Sequence, residues 1–296
     1  VTRQVDEPAS IAGGCICCLT DDDSLDVALA RLADPKLELD AIIVEASGLA
    51  DPVAISRIIR FSGVDNVRWG GVVDVIDARA HFDTVDRDGL PPARYGAASL
   101  VVVNKLDQVP GGDRTGVLAR IEARVRELNP TTQIVGVVAG RIDPALLYDV
   151  ADGEELGQLS FRQLLLDAEP PDRPAHADDH DHQHADSVTV TGDGCVDPDA
   201  IFDLLEDPPA GVYRLKGIIA VRYRSTVRRY VVNLVGTSVH LAAAPPREVT
   251  SHLVAIGIHL DTDEVRERLR AALVSRAEAA SPNGIRRLQR YRRLSV

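Results

Sequence analysis

The sequence predicts a doubly wound α/β domain, followed by a smaller α+β domain whose sheet is mostly antiparallel. Three observations support this prediction. Short apolar runs alternate with helical segments from about residue 38 to 138, a stretch rich in proline, acids and histidine covers residues 168–186, and β-rich runs follow it. Strand–helix alternation is typical of parallel sheets. We therefore place the first domain at residues 1–167, a linker at 168–186 and the second domain at 187–296.

Four apolar runs predict the strands of the first domain. They contain few polar residues, as expected for strands that are buried on both faces of a parallel sheet. The segments between them predict helices, one with Pro52 near its start and one with apolar residues at helical spacing. The strands are "LDAIIVE" (39–45), "GGVVDVID" (70–77), "SLVVVN" (99–104) and "QIVGVV" (133–138), and the helices are "DPVAISRIIRF" (51–61) and "VLARIEARVREL" (117–128).

The second domain is predicted to combine four strands with two helices. The strands are expected at 187–191, 212–224, 227–235 and 252–258, and the helices at "DPDAIFDLLED" and from Asp261 to about Ala280. The tail "IRRLQRYRRL" spaces its apolar residues among arginines, and we expect it to be a solvated or frayed terminus.

Composition limits the classes of function. The net charge of -12 and the pI of about 5.1 argue against nucleic acid as the main partner. Four cysteines in 296 residues are too few for a disulfide scaffold. No apolar run approaches the roughly 18 residues that span a membrane, and no secretory leader opens the chain. The composition therefore predicts a cytoplasmic protein with neither a membrane nor a nucleic-acid partner.

The segment "VVVNKLD" (101–107) predicts guanine recognition. The carboxylate of Asp107 would accept hydrogen bonds from guanine N1 and the exocyclic amine, a donor pair that adenine lacks. Lys105 would lie along the base, and Asn104 would tie neighbouring loops together. Ligands bind at the carboxyl ends of parallel strands, where this motif is expected. The alternative is a polar turn that only closes a strand.

A second motif, "IIVEASGLADP" (42–52), contains an acid at the end of a predicted strand. In a phosphate-processing site, Glu45 would hold the Mg²⁺ shell or position the attacking water. Gly48 would let a backbone N–H approach the γ-phosphate. Taken alone, Glu45 is better explained as the first polar residue after a strand.

The cysteine cluster "GGCICC" (13–18) predicts either a metal site or a redox pair. Cys15, Cys17 and Cys18 would supply three thiolate ligands at a spacing that suits Zn²⁺. The redox alternative pairs Cys15 with Cys18, but the preceding "DEPASIAGG" is a poor strand. The linker offers further neutral imidazoles for weak metal binding, although a solvated linker explains them equally well: His176, His180, His182 and His184.

In this order and at these intervals, "GGCICC", "EASGLADP" and "NKLD" resemble the CobW-like GTPases of the P-loop NTPase class. The resemblance extends through "NPTTQIVGVVAGRIDPALL", "YRLKG" and "LVAIGIHLD", and thus over nearly the whole chain. It implies binding of GTP with Mg²⁺, GTP hydrolysis that involves Glu45, and a transition-metal site at C-x-C-C. It also implies delivery of Zn²⁺, or alternatively Co²⁺, to a client metalloprotein.

The chain departs from that family at its start. The family has a phosphate loop, G-x-x-G-x-G-K-[ST], before the cysteines, but only fourteen residues precede Cys15 and they contain no such loop. The sequence also has no methionine and begins at Val1. We therefore expect an N-terminal truncation that exposes a hydrophobic edge of the sheet, with GTP hydrolysis conditional on an upstream loop. If the loop is truly absent, the chain is instead a degenerate relative that binds or stores zinc without catalysis. The third alternative is a thiol redox protein.

Overall fold

The structure of the protein is a computed structural model. It describes residues 25–37, 39, 41–46, 51–87, 90–147, 185–246, 249–276 and 278–295. The helices are α1 (Leu25–Leu32), α2 (Pro52–Arg60), α3 (His81–Thr84), α4 (Arg114–Arg126), α5 (Pro198–Glu206), α6 (Thr262–Ala272) and α7 (Pro282–Leu294). The strands are β1 (Val73–Asp77), β2 (Leu100–Asn104), β3 (Gln133–Gly136), β4 (Asp186–Asp193), β5 (Val212–Tyr223), β6 (Thr226–Val235), β7 (Ser238–Ala244) and β8 (Thr250–Gly257).

The first sheet is parallel and has the strand order β1-β2-β3. All of β2 except its last residue is buried, as the apolar run "LVVV" predicts for a central strand. On one face of the sheet, Val101 and Val103 pack against Ile121 and Val125 of α4. The predicted fold class, a parallel α/β sheet with a separate antiparallel domain, is confirmed.

Residues 41–46 differ from the strand that the sequence predicts. Ile42, Val44 and Ala46 pack beside Leu25 and Ile55, so the alternating apolar pattern does reach a core. In the described part of the chain, however, no strand pairs with this segment, and it has no regular secondary structure. A buried pattern alone does not make a strand, because the backbone must also find a ladder partner.

The β1 strand lies at an edge of the parallel sheet and carries exposed apolar side chains. Val73 is 41% exposed and Val75 is 59% exposed. Their register partners on β2, Leu100 and Val102, are buried. Among the described strands, β1 is therefore an outer strand with two exposed valines.

The second sheet is antiparallel, with the order β4-β8-β5-β6-β7. Helices α5, α6 and α7 cover one of its faces, where Phe202, Leu269 and Leu288 join a core with Ile219 and Val232. The sequence did not predict β7. This strand follows β6 through a tight hairpin in which Val235 pairs with Ser238, and its run of three alanines hid it.

Two predictions about the C-terminal helices were wrong. The helix expected to reach about Ala280 ends at Ala272, because the following chain gives backbone hydrogen bonds to the sheet domain instead. Arg276 N donates to Cys195 O over 2.7 Å, and Ala280 N donates to Arg222 O over 2.9 Å. The expected frayed tail is helix α7, which Ser281 caps and Leu288 anchors in the core.

The two sheets share a third cluster of buried apolar residues. Leu100, Val102 and Val135 of the parallel sheet lie in one cluster with Tyr213 and Ile256 of the antiparallel sheet. The face of the parallel sheet opposite α4 is therefore covered by the second domain. This contact joins the strands that carry the guanine motif to the C-terminal sheet.

Candidate nucleotide site

The guanine motif lies at the carboxyl end of the parallel sheet. Asn104 ends β2 and is the register partner of Asp77, which ends β1. Both strands run in the same direction, so their last side chains meet at one edge of the sheet. Open α/β sheets bind their ligands at this edge, and the polar residues are therefore well placed for ligand contact.

Asn104 connects two loops through a single side-chain oxygen. Its Oδ1 accepts hydrogen bonds from Lys105 N at 2.8 Å and from Gly140 N at 3.0 Å. Gly140 follows β3 and has a φ of +67°, a conformation that glycine adopts without strain. The loop after β2 and the loop after β3 are thereby fixed relative to each other.

Lys105 is held by a carboxylate that the sequence analysis did not single out. Its Nζ lies 2.7 Å from Oδ2 of Asp77, and Oδ1 of Asp77 accepts a hydrogen bond from Arg79 N at 3.0 Å. The hydrogen bond from Lys105 holds the pKa of Asp77 below its usual value. The sequence did contain a signal, since Asp77 is the acid that ends the run "VVDVID" before the strand with the motif.

Asp107 lies in a short 3₁₀ helix, Leu106–Gln108, directly after the motif lysine. The residue is exposed, and within the described structure its carboxylate accepts no hydrogen bond. The neighbouring Leu106 packs against β3, where a Cβ on Gly136 would come within 2.6 Å of Leu106 Cδ1. Leu106 anchors the turn, while the carboxylate next to it remains open to solvent.

A buried polar network supports the loops on the α4 side of the sheet. Arg124 binds Asp86 with two hydrogen bonds, at 2.8 and 2.9 Å, and the hydroxyl of Tyr95 is hydrogen-bonded to His81 Nε2. The bonds from Arg124 hold the pKa of Asp86 below its usual value, whereas burial lowers the pKa of His81. The lowered pKa favours the neutral imidazole of His81, and the network fixes the segment after β1.

Of the other predicted site residues, the structure describes only Glu45. Glu45 is exposed and makes no hydrogen bond or ion pair with the described residues. The remaining predicted ligands lie outside the described residues: Gly48, Cys15, Cys17, Cys18, His176, His180, His182 and His184. Among the residues that are described, no group of three or more His, Cys, Asp or Glu side chains suits a metal ion. Cys195 is buried, with 2% of its surface exposed.

Comparison with protein families assigns both domains. Residues 1–136 match the CobW/HypB/UreG nucleotide-binding domain, and residues 185–273 match the C-terminal domain of the cobalamin synthesis protein CobW. The chain belongs to the CobW family. The first match covers β1, β2 and the guanine motif, and the second begins just before β4. The site at the carboxyl end of the parallel sheet therefore lies in a nucleotide-binding domain.

Several curated relatives carry names from this family. The chain is 26% identical to the zinc chaperone CobW of Sinorhizobium sp. over 89% of its own length and 79% of the relative. It is 27% identical to the zinc chaperone CobW of Pseudomonas aeruginosa over 89% of its own length and 74% of that protein.

A solved structure also resembles this CobW-family chain. The crystal structure of zinc-bound YjiA GTPase from Escherichia coli is 20% identical to it, with a TM-score of 0.34, over 85% of this chain and 76% of YjiA.

In the described part of the chain, no helix is both long and apolar enough to cross a membrane.

Proposed function

We propose that the protein is a GTP-dependent metal chaperone that binds Zn²⁺ and delivers it to a client metalloprotein. The observation that carries this proposal is the open carboxylate of Asp107, positioned beside Asn104 and Lys105 at the end of β2. Membership of the CobW family supports it, as do the relatives named zinc chaperones. Co²⁺ is the second choice of metal, because affinity order alone does not separate the two ions.

Base recognition follows from the chemistry of Asp107. An ionised carboxylate is an acceptor only, and guanine presents two adjacent donors, N1–H and the exocyclic amine. Adenine would leave the carboxylate without these bonds in a partly desolvated contact, which is unfavourable. Lys105, held by Asp77, would lie along the base, while Asn104 keeps the two flanking loops in register.

The hydrolytic part of the proposal involves Glu45 and Gly48. Mg²⁺, when bound with GTP, neutralises the charge that develops on the phosphates. Glu45 is an exposed carboxylate and therefore suits the hydration shell of this ion or the attacking water. Gly48 would offer a backbone N–H without side-chain hindrance. Hydrolysis additionally needs a group that cradles the phosphates.

The metal cargo is proposed to bind Cys15, Cys17 and Cys18 as thiolates. Three sulfur ligands leave one position of a tetrahedral Zn²⁺ open, and an open position suits an ion that is passed to another protein. The linker histidines His176, His180, His182 and His184 would add weak sites. GTP would favour the metal-bound state, and hydrolysis would release the metal to the client.

Replacement of Asp107 by asparagine tests the nucleotide site. We expect Asp107→Asn to weaken GTP binding by at least about tenfold and to improve xanthosine triphosphate, whose extra oxygen accepts from the new amide. Titration of both nucleotides into the full-length protein measures the ratio of affinities. The matched control is Asp65→Asn, another exposed carboxylate. An unchanged ratio would mean that "NKLD" only closes a strand.

Competitive zinc titration tests the chaperone mechanism. Zinc affinity is measured without nucleotide, with GDP and with a non-hydrolysable GTP analogue, and we expect the analogue to tighten binding by about 1–3 kcal/mol. Cys17→Ser should abolish the tight site and leave nucleotide binding intact. Deletion of residues 176–184 should remove only weakly bound ions. Equal zinc affinity in all three nucleotide states would contradict GTP-gated delivery, and loss of the tight site on deletion would assign it to the histidines.

A further inference from the structure

A cavity of about 620 Å³ lies between the turn of the β5–β6 hairpin and the beginning of α7. The hairpin lines it with Arg222, Arg224, Ser225 and Thr226, and α7 lines it with Ile285 and Arg286. This volume is within the range of small-molecule sites. The cavity is in the C-terminal domain and shares no residue with the guanine site.

The cavity concentrates positive charge in a protein whose net charge is -12. Three of its lining residues are arginines and none is acidic. Within the described structure, Arg222, Arg224 and Arg286 form no ion pair. Glu278, close to the cavity in sequence, forms none with them either.

Arg287, next to Arg286 on α7, is an arginine whose charge this domain neutralises. Arg287 binds Asp199, Asp203 and Glu206, at 3.2, 2.7 and 3.0 Å. Arg286, one position earlier, lines the cavity and has no such partner among the described residues. Within that part of the chain, the acids of α5 therefore compensate Arg287 and not the cavity arginines.

Two features of the hairpin are unfavourable for the protein alone. Arg222 Nε is buried and makes no hydrogen bond, which leaves part of a guanidinium desolvated without an acceptor. Arg224 occupies the turn with a φ of +45°, a conformation that costs an arginine strain and a glycine almost none. Both features lie in the part of the hairpin that lines the cavity.

From this arrangement we propose that the cavity binds a small molecule that carries phosphate groups. The guanidinium fork matches phosphate oxygens with paired hydrogen bonds, and three such groups call for a ligand with at least two negative charges. A phosphate supplies this charge and three acceptor oxygens in one compact group. The hydroxyl of Ser225 adds a neutral donor, and Ile285 offers an apolar wall to an organic portion of the ligand.

Calorimetric titration of the full-length protein with pyrophosphate tests this site, at 150 mM salt and with citrate as the carboxylate comparison. We expect pyrophosphate to bind with one-to-one stoichiometry and citrate to bind at least about tenfold more weakly. The variants Arg286→Gln and Arg224→Gln should each weaken pyrophosphate by about tenfold, the effect of losing one charged hydrogen-bond donor. The control Arg270→Gln, an exposed arginine of α6 outside the cavity, should change affinity less than twofold.

Hydrogen exchange in the presence of pyrophosphate locates the bound probe. We expect protection of residues 222–226 and 279–286, and this protection should survive Asp107→Asn, which alters only the guanine site. Citrate binding as tight as pyrophosphate binding would overturn the phosphate assignment. Equal losses in Arg286→Gln and Arg270→Gln, or protection confined to the parallel sheet, would overturn the site itself. Melting temperatures of all variants are compared first, so that a folding defect is not taken for lost binding.

Discussion

Lys105 is a non-glycine residue with a φ of +62°, in the left-handed region. Such a conformation costs roughly 1–2 kcal/mol for an L-residue, so neighbouring contacts must hold it. Two side chains do so: Asn104 Oδ1 accepts from the Lys105 backbone N–H, and Asp77 binds its Nζ. The strained residue sits at the guanine motif, and its geometry is set by the ends of two strands.

The Asp77–Lys105 pair gives the first prediction at this scale. Both side chains are partly exposed, so the pair contributes little to the free energy of unfolding, on the order of 0–1 kcal/mol. We expect Asp77→Asn to leave the melting temperature nearly unchanged and to weaken GTP binding about three- to tenfold, because Lys105 loses its fixed position. Fluorescence titration with a labelled GTP measures the affinity of the variant and of the unaltered protein.

Asp83→Asn is the matched control for Asp77→Asn, since Asp83 is an exposed carboxylate on α3 after the same strand. It should bind GTP as the unaltered protein does. A large fall in melting temperature for Asp77→Asn, with unchanged GTP affinity, would make Asp77 a structural residue only.

Among the elements, α7 departs most from its sequence-based prediction. Its arginines suggested a solvated terminus, yet Leu288 is 1% exposed and Tyr291 stacks on Phe202 with ring centroids 4.8 Å apart. Only every third or fourth residue of the tail is apolar, which is enough for a helix that lies on an existing core. The partner surface, made by α5 and β7, is distant in sequence and therefore invisible to a local pattern.

The same reasoning explains which elements the sequence predicted well. The strands β1, β2 and β3 and the helix α2 were found because their apolar runs and the proline at the helix start are local signals. The sequence did not predict the irregular backbone of segment 41–46 or the end of α6. Both depend on backbone hydrogen bonds to partners that are distant in sequence. At the site, the motif predicted Asn104, Lys105 and Asp107 as a group, whereas Asp77 required knowledge of which strands are neighbours.

Two leucines of α7 give the prediction at this scale. Leu288→Ala should lower the free energy of unfolding by about 2–5 kcal/mol, because it leaves a cavity in the core of the C-terminal domain. Leu294→Ala is the matched control on the same helix, where the side chain is 68% exposed, and it should change stability by less than about 0.5 kcal/mol. Urea unfolding followed by circular dichroism compares the free energies of unfolding of the two variants. Equal effects would mean that the helix does not dock.

For the whole molecule, the decisive feature is the apolar cluster shared by the two sheets. Leu100 and Val135 are 0% and 1% exposed, and the residues that bury them include Tyr213 and Ile256 of the other domain. Inter-domain contacts with a dry apolar centre resist relative motion more than polar ones do. We therefore infer that the nucleotide-binding sheet and the C-terminal sheet move and unfold as one unit.

The single tryptophan of the chain makes this inference measurable. Trp69 precedes β1, and Arg60 of α2 lies 5.3 Å from its ring centroid and also donates to Ser238 Oγ of β7 at 2.6 Å. Its fluorescence therefore reports on the first domain where it meets the second. Ile219→Ala, in β5 and buried in the core of the second domain outside the shared cluster, should lower stability by about 2–5 kcal/mol. We expect the unfolding transition seen by Trp69 to shift by the same amount as the one seen by circular dichroism. A tryptophan transition that does not move would show that the domains unfold separately.

The exposed side chains of β1 have a practical consequence for anyone who purifies this protein. Val73 and Val75 sit on an edge strand whose outer backbone groups find no ladder partner in the described structure. Such a strand is a template for the same strand of another molecule, so concentrated samples should turn turbid as edges pair. Val75→Lys would place a positive charge on the β1 strand of both molecules that pair, so it should slow aggregation. Light scattering during storage measures the rate of aggregation.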